Sequence, residues 1–128
     1  MPDTATIKVI DASALAAIVF DEPRGDRVAN RIADCELVAP TLLAYEMANV
    51  CWVKLRRNPR QRQELLAALL TPGLAPETLN VDHPAVIELA GQTGLTTSDA
   101  SYLWLARDLG VELVTLDRQL AEAAEKYP

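Results

Sequence analysis

The chain is short of several residue types, and each shortage narrows what the protein can be. Only two cysteines are present, Cys35 and Cys51, and neither has a metal-ligand spacing, so we expect two buried free thiols. The single histidine, His83, excludes acid–base catalysis by a pair of histidines. The longest early uncharged run, residues 12–20, is too short to cross a bilayer, and the first residues lack a secretory signal. We therefore expect a cytoplasmic protein.

Aromatic side chains are also scarce, at 5% of the 128 residues, so we expect a core built mainly of Leu, Val, Ile and Ala. Three of them, Trp52, Tyr102 and Trp104, lie among apolar neighbours, which favours core or dimer packing over stacking on nucleic-acid bases. Half of the residues are apolar and 23% are charged, as in ordinary globular proteins. The length fits one domain, residues 1–128.

Strand-like and helix-like segments alternate along the chain. Short apolar runs predict the strands, and helical spacing of apolar residues predicts the helices. The predicted strands are residues 7–10, 36–39, 77–81 and 111–116. The predicted helices are residues 13–20, 26–33, 41–57, 60–70 (stopped by Thr71-Pro72-Gly73), 84–91, 97–109 (capped by Thr97 or Ser98) and 117–127. This alternation predicts an α/β fold, a three-layer α/β/α sandwich with a central parallel sheet.

Four carboxylates occupy positions that stability alone does not favour. Asp11 and Asp117 each follow a predicted strand, Glu46 interrupts the apolar stripe of a helix, and Asp99 lies at the start of another. Residues beyond the carboxyl ends of parallel strands converge on one edge of the sheet. Two unit charges ~4 Å apart repel by ~4 kcal/mol at an effective dielectric constant of ~20. Four together therefore indicate a divalent metal site, unless some of them stay protonated.

Each acid taken alone has an ordinary structural explanation. Asp11 and Asp117 suit helix N-caps, and Asp99 suits the positive end of a helix dipole. Glu46 lies on a face that we expect to be buried, where an ion pair with Arg56 or Arg107 would satisfy it. Two neighbours are candidate supports. Asn49 lies one turn after Glu46 and could hydrogen-bond it, and Ser13 could orient a water or cap its helix.

The net charge of −6 argues against broad, charge-driven binding to nucleic acid, yet the basic residues are unevenly placed. Five of the twelve lie within nine positions: Lys54, Arg56, Arg57, Arg60 and Arg62. Two interpretations remain open. Cations at a helix C-terminus complement its dipole, and the same cations flanking an acidic site would contact the phosphates of RNA.

The residues around the four acids form four motifs in a fixed order. They are VIDASAL at 9–15, PTLLAYEMAN at 40–49, TSDASYLWLA at 97–106 and LVTLDRQL at 113–120. In these motifs the chain resembles the PIN-domain ribonucleases, and most closely the VapC toxins of bacterial and archaeal type II toxin–antitoxin operons. The resemblance spans almost the whole chain, although residues 56–81 carry no family signature.

The resemblance implies an endoribonuclease that hydrolyses phosphodiester bonds in cellular RNA. It implies Mg²⁺ or Mn²⁺ at Asp11, Glu46, Asp99 and Asp117, directly or through water, with Ser13 and Thr115 in supporting positions. In the family the metal activates a water that attacks the phosphate in line, and a 3′-hydroxyl leaves. The resemblance also implies a homodimer and a small antitoxin that covers the active site. The single histidine agrees with a metal-dependent mechanism.

Other functions are less well supported by the residues. A phosphatase that forms an aspartyl-phosphate would need a second Asp where Ser13 stands, and a phospho-receiver domain would need a lysine after a late strand. An RNA-processing nuclease without an antitoxin is the alternative within the family. A non-enzymatic binding module of the same fold is the alternative outside enzymes, and the intact acids argue against it.

Overall fold

A parallel sheet with the strand order β3-β2-β1-β4 organises the fold. The structure, a computed structural model, describes residues 5–70 and 73–128. The strands are β1 (Thr6–Ile10), β2 (Cys35–Pro40), β3 (Glu77–Leu79) and β4 (Glu112–Val114). β1 pairs with β2 and β4, and in the second pair Ile10 lies opposite Val114. The carboxyl ends of β1 and β4 therefore lie side by side, and Asp11 and Asp117 follow them.

Seven helices of the described segments flank this sheet, so the predicted α/β/α sandwich is confirmed. The helices are α1 (Ala12–Val19), α2 (Gly25–Ile32), α3 (Leu43–Arg57), α4 (Arg62–Leu69), α5 (His83–Thr93), α6 (Thr97–Leu109) and α7 (Arg118–Lys126). A short 3-10 turn, Pro59–Gln61, joins α3 to α4. None of the helices in the described part of the chain is both long and apolar enough to span a bilayer.

The core is aliphatic, as the scarcity of aromatic residues predicts. After Tyr102, the largest fully buried side chains are aliphatic and include Ile10, Leu103, Leu120 and Val114, which come from β1, α6, α7 and β4. Residues on strands with helices on both faces form nearly continuous apolar runs, and the ends of β1 and β4 follow that pattern. The core thus fixes β1 and its neighbour β4, the two strands that the first and last acids follow.

Several predicted boundaries were wrong, for local reasons. The last strand was predicted to run from 111 to 116, but β4 ends at Val114 because the Thr115 hydroxyl accepts a hydrogen bond from the Asp117 N–H and turns the chain. α6 is capped by Thr96, not by Thr97 or Ser98, because the Thr96 hydroxyl accepts from the Asp99 N–H. The stop predicted for α4 at Thr71-Pro72 lies outside the described residues.

The two cysteines differ in burial. Cys51 is buried on α3, as predicted, whereas Cys35 at the start of β2 is only half-buried, so its predicted burial was wrong. Both are free thiols. Among the aromatic residues, Tyr102 is buried as predicted, but Trp52 is 56% exposed on α3 and does not belong to the core.

Candidate active site

Asp11 ends β1 and caps α1, and three hydrogen bonds fix its carboxylate. Its Oδ1 accepts from the backbone N–H of Ala14 at 3.0 Å and from the Ser13 hydroxyl at 2.7 Å. Its Oδ2 accepts from the Thr115 hydroxyl at 2.5 Å. The residue is only 5% exposed. Capping is therefore confirmed for Asp11, and the same bonds hold its carboxylate rigidly at the carboxyl end of β1.

Ser13 and Thr115 connect Asp11 to the segment that carries Asp117. The Ser13 hydroxyl accepts from the Leu116 N–H at 2.9 Å, and the Thr115 hydroxyl accepts from the Asp117 N–H at 3.0 Å. Asp117 itself caps α7, because its Oδ1 accepts from the Leu120 N–H at 2.9 Å. The two hydroxyl oxygens lie 3.3 Å apart, although Ser13 and Thr115 are 102 positions apart in sequence. They therefore connect the residues that follow β1 to the residues that follow β4.

The other two acids, Glu46 and Asp99, are half-buried and belong to α3 and α6. Each lies in the first turn of its helix. Glu46 accepts a hydrogen bond from the hydroxyl of Tyr102 at 2.5 Å. It forms no ion pair with Arg56 or Arg107, so the ion pair considered as an ordinary explanation for its position was wrong. All four acids therefore stand at helix N-termini, where the dipole favours negative charge by about 0.3–1 kcal/mol.

The acids are close enough to disfavour one another's ionisation. Burial raises the pKa of Asp11, and the Asp117 carboxylate adds to that rise, although hydrogen bonds from Thr115, Ala14 and Ser13 oppose it. Burial also raises the pKa of Glu46, with further contributions from Asp99 and Asp11. The pKa of Asp99 is raised by burial and then by Asp117 and Asp11. The predicted convergence of four acids on one sheet edge therefore agrees with this electrostatic coupling.

No cation in the described residues neutralises the four acids. The salt bridges there join Lys8 and Arg31 to Glu112, Lys54 to Glu22, and Arg118 to Glu122. Arg118 follows Asp117 directly in sequence, yet its guanidinium pairs with Glu122 on the next turn. A cluster of coupled carboxylates without a basic partner is suited to a cationic ligand.

We expect Asp99→Asn to raise the melting temperature of the metal-free protein by a few degrees at pH 8. The pKa of Asp99 lies above its ordinary value of 3.8, so the wild type loses stability as the pH rises from that value through the raised pKa. The amide does not ionise, so the advantage of the variant should shrink at pH 4. Thermal denaturation at both pH values measures this, with the exposed Asp26→Asn as the control. A variant that melts at or below the wild-type temperature at pH 8 would contradict the repulsion.

The donor set agrees with a hard divalent cation. Carboxylate oxygens are preferred ligands of Mg²⁺ and Mn²⁺, and Mg²⁺ is commonly held by one or two carboxylates while it keeps several waters. Within the described ranges, no three carboxylate, imidazole or thiol groups are placed to hold one ion together. Binding through all four acids would therefore require bridging waters or rotation of side chains.

Comparison with known proteins places the chain in a family. The model of the PIN domain matches residues 8–126. The chain belongs to the PIN domain family. It is 36% identical over 126 residues to Ribonuclease VapC3 of Pyrobaculum aerophilum, with 94% of each chain covered. It is also similar to the crystal structure of PAE2754 from the same organism, with a TM-score of 0.65, 26% identity, and coverage of 95% of this chain and 89% of the other. The resemblance to VapC-type PIN domains is confirmed.

Of the three residues predicted to support the acids of this PIN domain, two contact an acid and one does not. Ser13 and Thr115 contact Asp11 directly. Asn49 is exposed on α3 and makes no hydrogen bond to Glu46 in the described part of the chain, where Tyr102 has that role. The helical spacing of Asn49 was correct, but its side chain lies on the outer side of α3.

The predicted basic cluster divides into two parts. Lys54 makes contacts within the PIN domain, because its ammonium pairs with Glu22 at 2.8 Å and lies 5.4 Å from the centre of the Phe20 ring. Four arginines are exposed and form no ion pair with any described residue: Arg56, Arg57, Arg60 and Arg62. Arg56 lies over the exposed Trp52 ring, 5.8 Å from its centre. These arginines, rather than Lys54, remain free to contact an anion.

Two contributors to the site did not emerge as such from sequence reasoning. Tyr102 was predicted to be a packing residue, and its hydroxyl on Glu46 was missed. The available signal was its position three residues after Asp99, which puts both on one side of α6. Thr96 caps α6 next to Asp99, and a Thr three residues before an acid is a recognised capping pattern.

Proposed function

We propose that this PIN domain is a metal-dependent endoribonuclease toxin that hydrolyses phosphodiester bonds in cellular RNA in the cytoplasm. The observation that carries the proposal is the set of four coupled carboxylates at one edge of a PIN-domain sheet, which pair with no basic side chain of residues 5–70 and 73–128. The P. aerophilum relative is named a ribonuclease, which supports RNA as the substrate. A small cognate antitoxin as inhibitor and a second copy of the chain as partner in a homodimer complete the proposal.

Each residue of the site has a distinct part in this activity. Asp11, Glu46, Asp99 and Asp117 hold Mg²⁺ or Mn²⁺, directly or through water. When bound, the ion supplies a nucleophile of lowered pKa and neutralises charge on the phosphate oxygens. Ser13 and Thr115 keep the Asp11 carboxylate in one orientation, since each donates to a different oxygen of it. Their hydrogen bonds to backbone N–H groups fix both hydroxyls in turn.

RNA cleavage in cells is the first test. New RNA 5′ ends would be mapped after brief induction of the wild type and of Asp99→Asn, both soluble and free of antitoxin. Discrete ends from the wild type alone would support a ribonuclease and identify its target. Identical 5′ ends with both proteins would reject the role of Asp99, and a complete lack of new ends would favour a non-enzymatic binding module. A short neighbouring gene for a DNA-binding protein would favour a toxin over an RNA-processing nuclease.

We also propose that the exposed arginines at the C-terminal end of α3 and in the 3-10 turn that follows it contact RNA phosphates. Replacing Arg56, Arg57 and Arg60 together by Ala should weaken RNA binding and make its dependence on salt shallower. Each lost phosphate contact lowers the slope of log K against log salt by roughly 0.7 for a single strand, so a decrease of about 2 is expected. Binding to a labelled RNA between low and moderate salt, with an Asp99→Asn background to prevent cleavage, measures it.

The control for this prediction removes the same charge elsewhere. Arg24, Arg27 and Lys126 form no ion pair with any described residue, and their triple Ala variant has the same net charge. It should leave the salt slope close to that of the wild type. Equal slopes for both triple variants would indicate a general charge effect, and an unchanged slope in the first would leave the arginines as ordinary surface.

A further inference from the structure

Tyr102 connects two of the helices that carry the acids. It lies on α6, three residues after Asp99, and it is 1% exposed. Its hydroxyl donates to Oε1 of Glu46 on α3 at 2.5 Å, across 56 positions of sequence. No other residue of the described ranges donates a hydrogen bond to the side-chain carboxylate of Glu46. The placement of the Glu46 carboxylate therefore depends on one contact from α6.

Packing alone does not account for a tyrosine at this place. A buried tyrosine needs a partner for its hydroxyl, whereas phenylalanine fills nearly the same volume without that need. The partner here is a carboxylate, and hydrogen bonds with an ionised acceptor are roughly twice as strong as neutral ones. Burial, followed by the hydrogen bond to Glu46 and the nearby acids, raises the pKa of Tyr102 well above its usual range. A phenol hydroxyl carries its proton at neutral pH and a carboxylate can only accept, so Tyr102 is the donor in this contact.

We propose that Tyr102 is a positioning residue, whose hydroxyl holds Glu46 of α3 at a fixed place relative to Asp99 of α6. This inference rests on the proposed metal site, in which both acids take part. With Tyr102 in this role, two separate sets of hydrogen bonds orient the acids of the site. Ser13 and Thr115 orient Asp11 where β1 and β4 end, and Tyr102 orients Glu46 where α3 and α6 begin. Groups that orient metal ligands commonly affect metal affinity by 10- to 100-fold.

Tyr102→Phe should weaken Mn²⁺ binding about tenfold while the protein stays folded. The ring remains in the core, so only the hydrogen bond to Glu46 is lost. Tyr127→Phe is the matched control, because its hydroxyl donates at 3.1 Å to the backbone carbonyl of Gln92, outside the acid cluster. It should bind Mn²⁺ like the wild type. Free Mn²⁺ measured by electron paramagnetic resonance reports the affinity without any dependence on RNA cleavage.

A double-mutant cycle with Glu46→Gln distinguishes positioning from a general structural effect. If Tyr102 acts through Glu46, adding Tyr102→Phe to Glu46→Gln should cause no further loss of Mn²⁺ affinity. Equal losses in both backgrounds would overturn the inference, and so would an unchanged affinity in Tyr102→Phe alone. If Glu46→Gln itself binds Mn²⁺ like the wild type, Glu46 is outside the metal site, and the proposed site fails together with the inference.

A second variant tests the same idea without touching the core. Glu46→Asp keeps the carboxylate but shortens its reach by one methylene, which separates it from the Tyr102 hydroxyl. It should weaken Mn²⁺ binding to a similar extent, and combining it with Tyr102→Phe should add little. Wild-type affinity in Glu46→Asp would mean that the position of this carboxylate does not matter, and it would overturn the inference even if Tyr102→Phe did not fold.

Discussion

Replacing Asp11 by Asn should lower the rate of RNA cleavage by about a hundredfold or more. Asp11 is the most constrained of the four acids, with hydrogen bonds to Ala14, Ser13 and Thr115. Even groups that only orient metal ligands commonly contribute 10- to 100-fold, so removing the charge of a proposed ligand should cost at least as much. Initial rates on an RNA substrate, with Mg²⁺ or Mn²⁺ varied, measure the effect.

The fold should survive this substitution, since asparagine is as good an N-cap as aspartate. Asp82→Asn is the matched control, because Asp82 caps α5 through the Ala85 N–H at 3.1 Å just as Asp11 caps α1. The control changes the same atoms at a cap outside the acid cluster and should retain full activity. Full activity in Asp11→Asn would remove Asp11 from the site. A comparable loss in both variants would point to helix capping instead of metal binding.

Local patterns were sufficient to predict Asp11 and Asp117 and their surroundings. Each follows a short apolar strand and precedes a helix, and the parallel pairing of β1 with β4 brings such positions together. Capping does not exclude the proposed role in the site, because one carboxylate oxygen can accept from a backbone N–H while the other faces a different group. The alternation of strands and helices could be predicted equally well, because apolar residues recur with a different spacing in strands and in helices.

Contacts between distant helices could not be predicted in the same way. The pairing of Tyr102 with Glu46 depends on how α3 packs against α6, which no local spacing specifies. Lys54 was placed in the basic cluster by sequence proximity, but α3 brings it next to Glu22 instead. Trp52 shares apolar neighbours with the core residues of α3 but lies on its outer side. In each case the rotation of a helix about its axis decides the contact.

Gly25→Ala should strongly destabilise the protein. Gly25 begins α2 where that helix packs closely on α1, and a Cβ there would lie 2.4 Å from the backbone oxygen of Ala17. That oxygen also accepts from the Glu22 N–H at 2.8 Å, so it cannot move aside without breaking another bond. We expect a loss of about 3 kcal/mol or more, because overpacking against backbone cannot be relieved by a side-chain rotation.

Thermal unfolding of two glycine variants measures how much the close contact of Gly25 with the Ala17 backbone matters for stability. The loss at Gly25 corresponds to a fall in melting temperature of about 10 °C or more. Gly91→Ala is the matched control, since nothing lies within 4 Å of the Cβ that it adds on α5. There the alanine should raise stability by up to about 1 kcal/mol, the usual difference in helix propensity. If both variants melted alike, α2 would not pack on α1 at backbone distance. Because Asp11 caps α1, that result would also weaken the described support of the site.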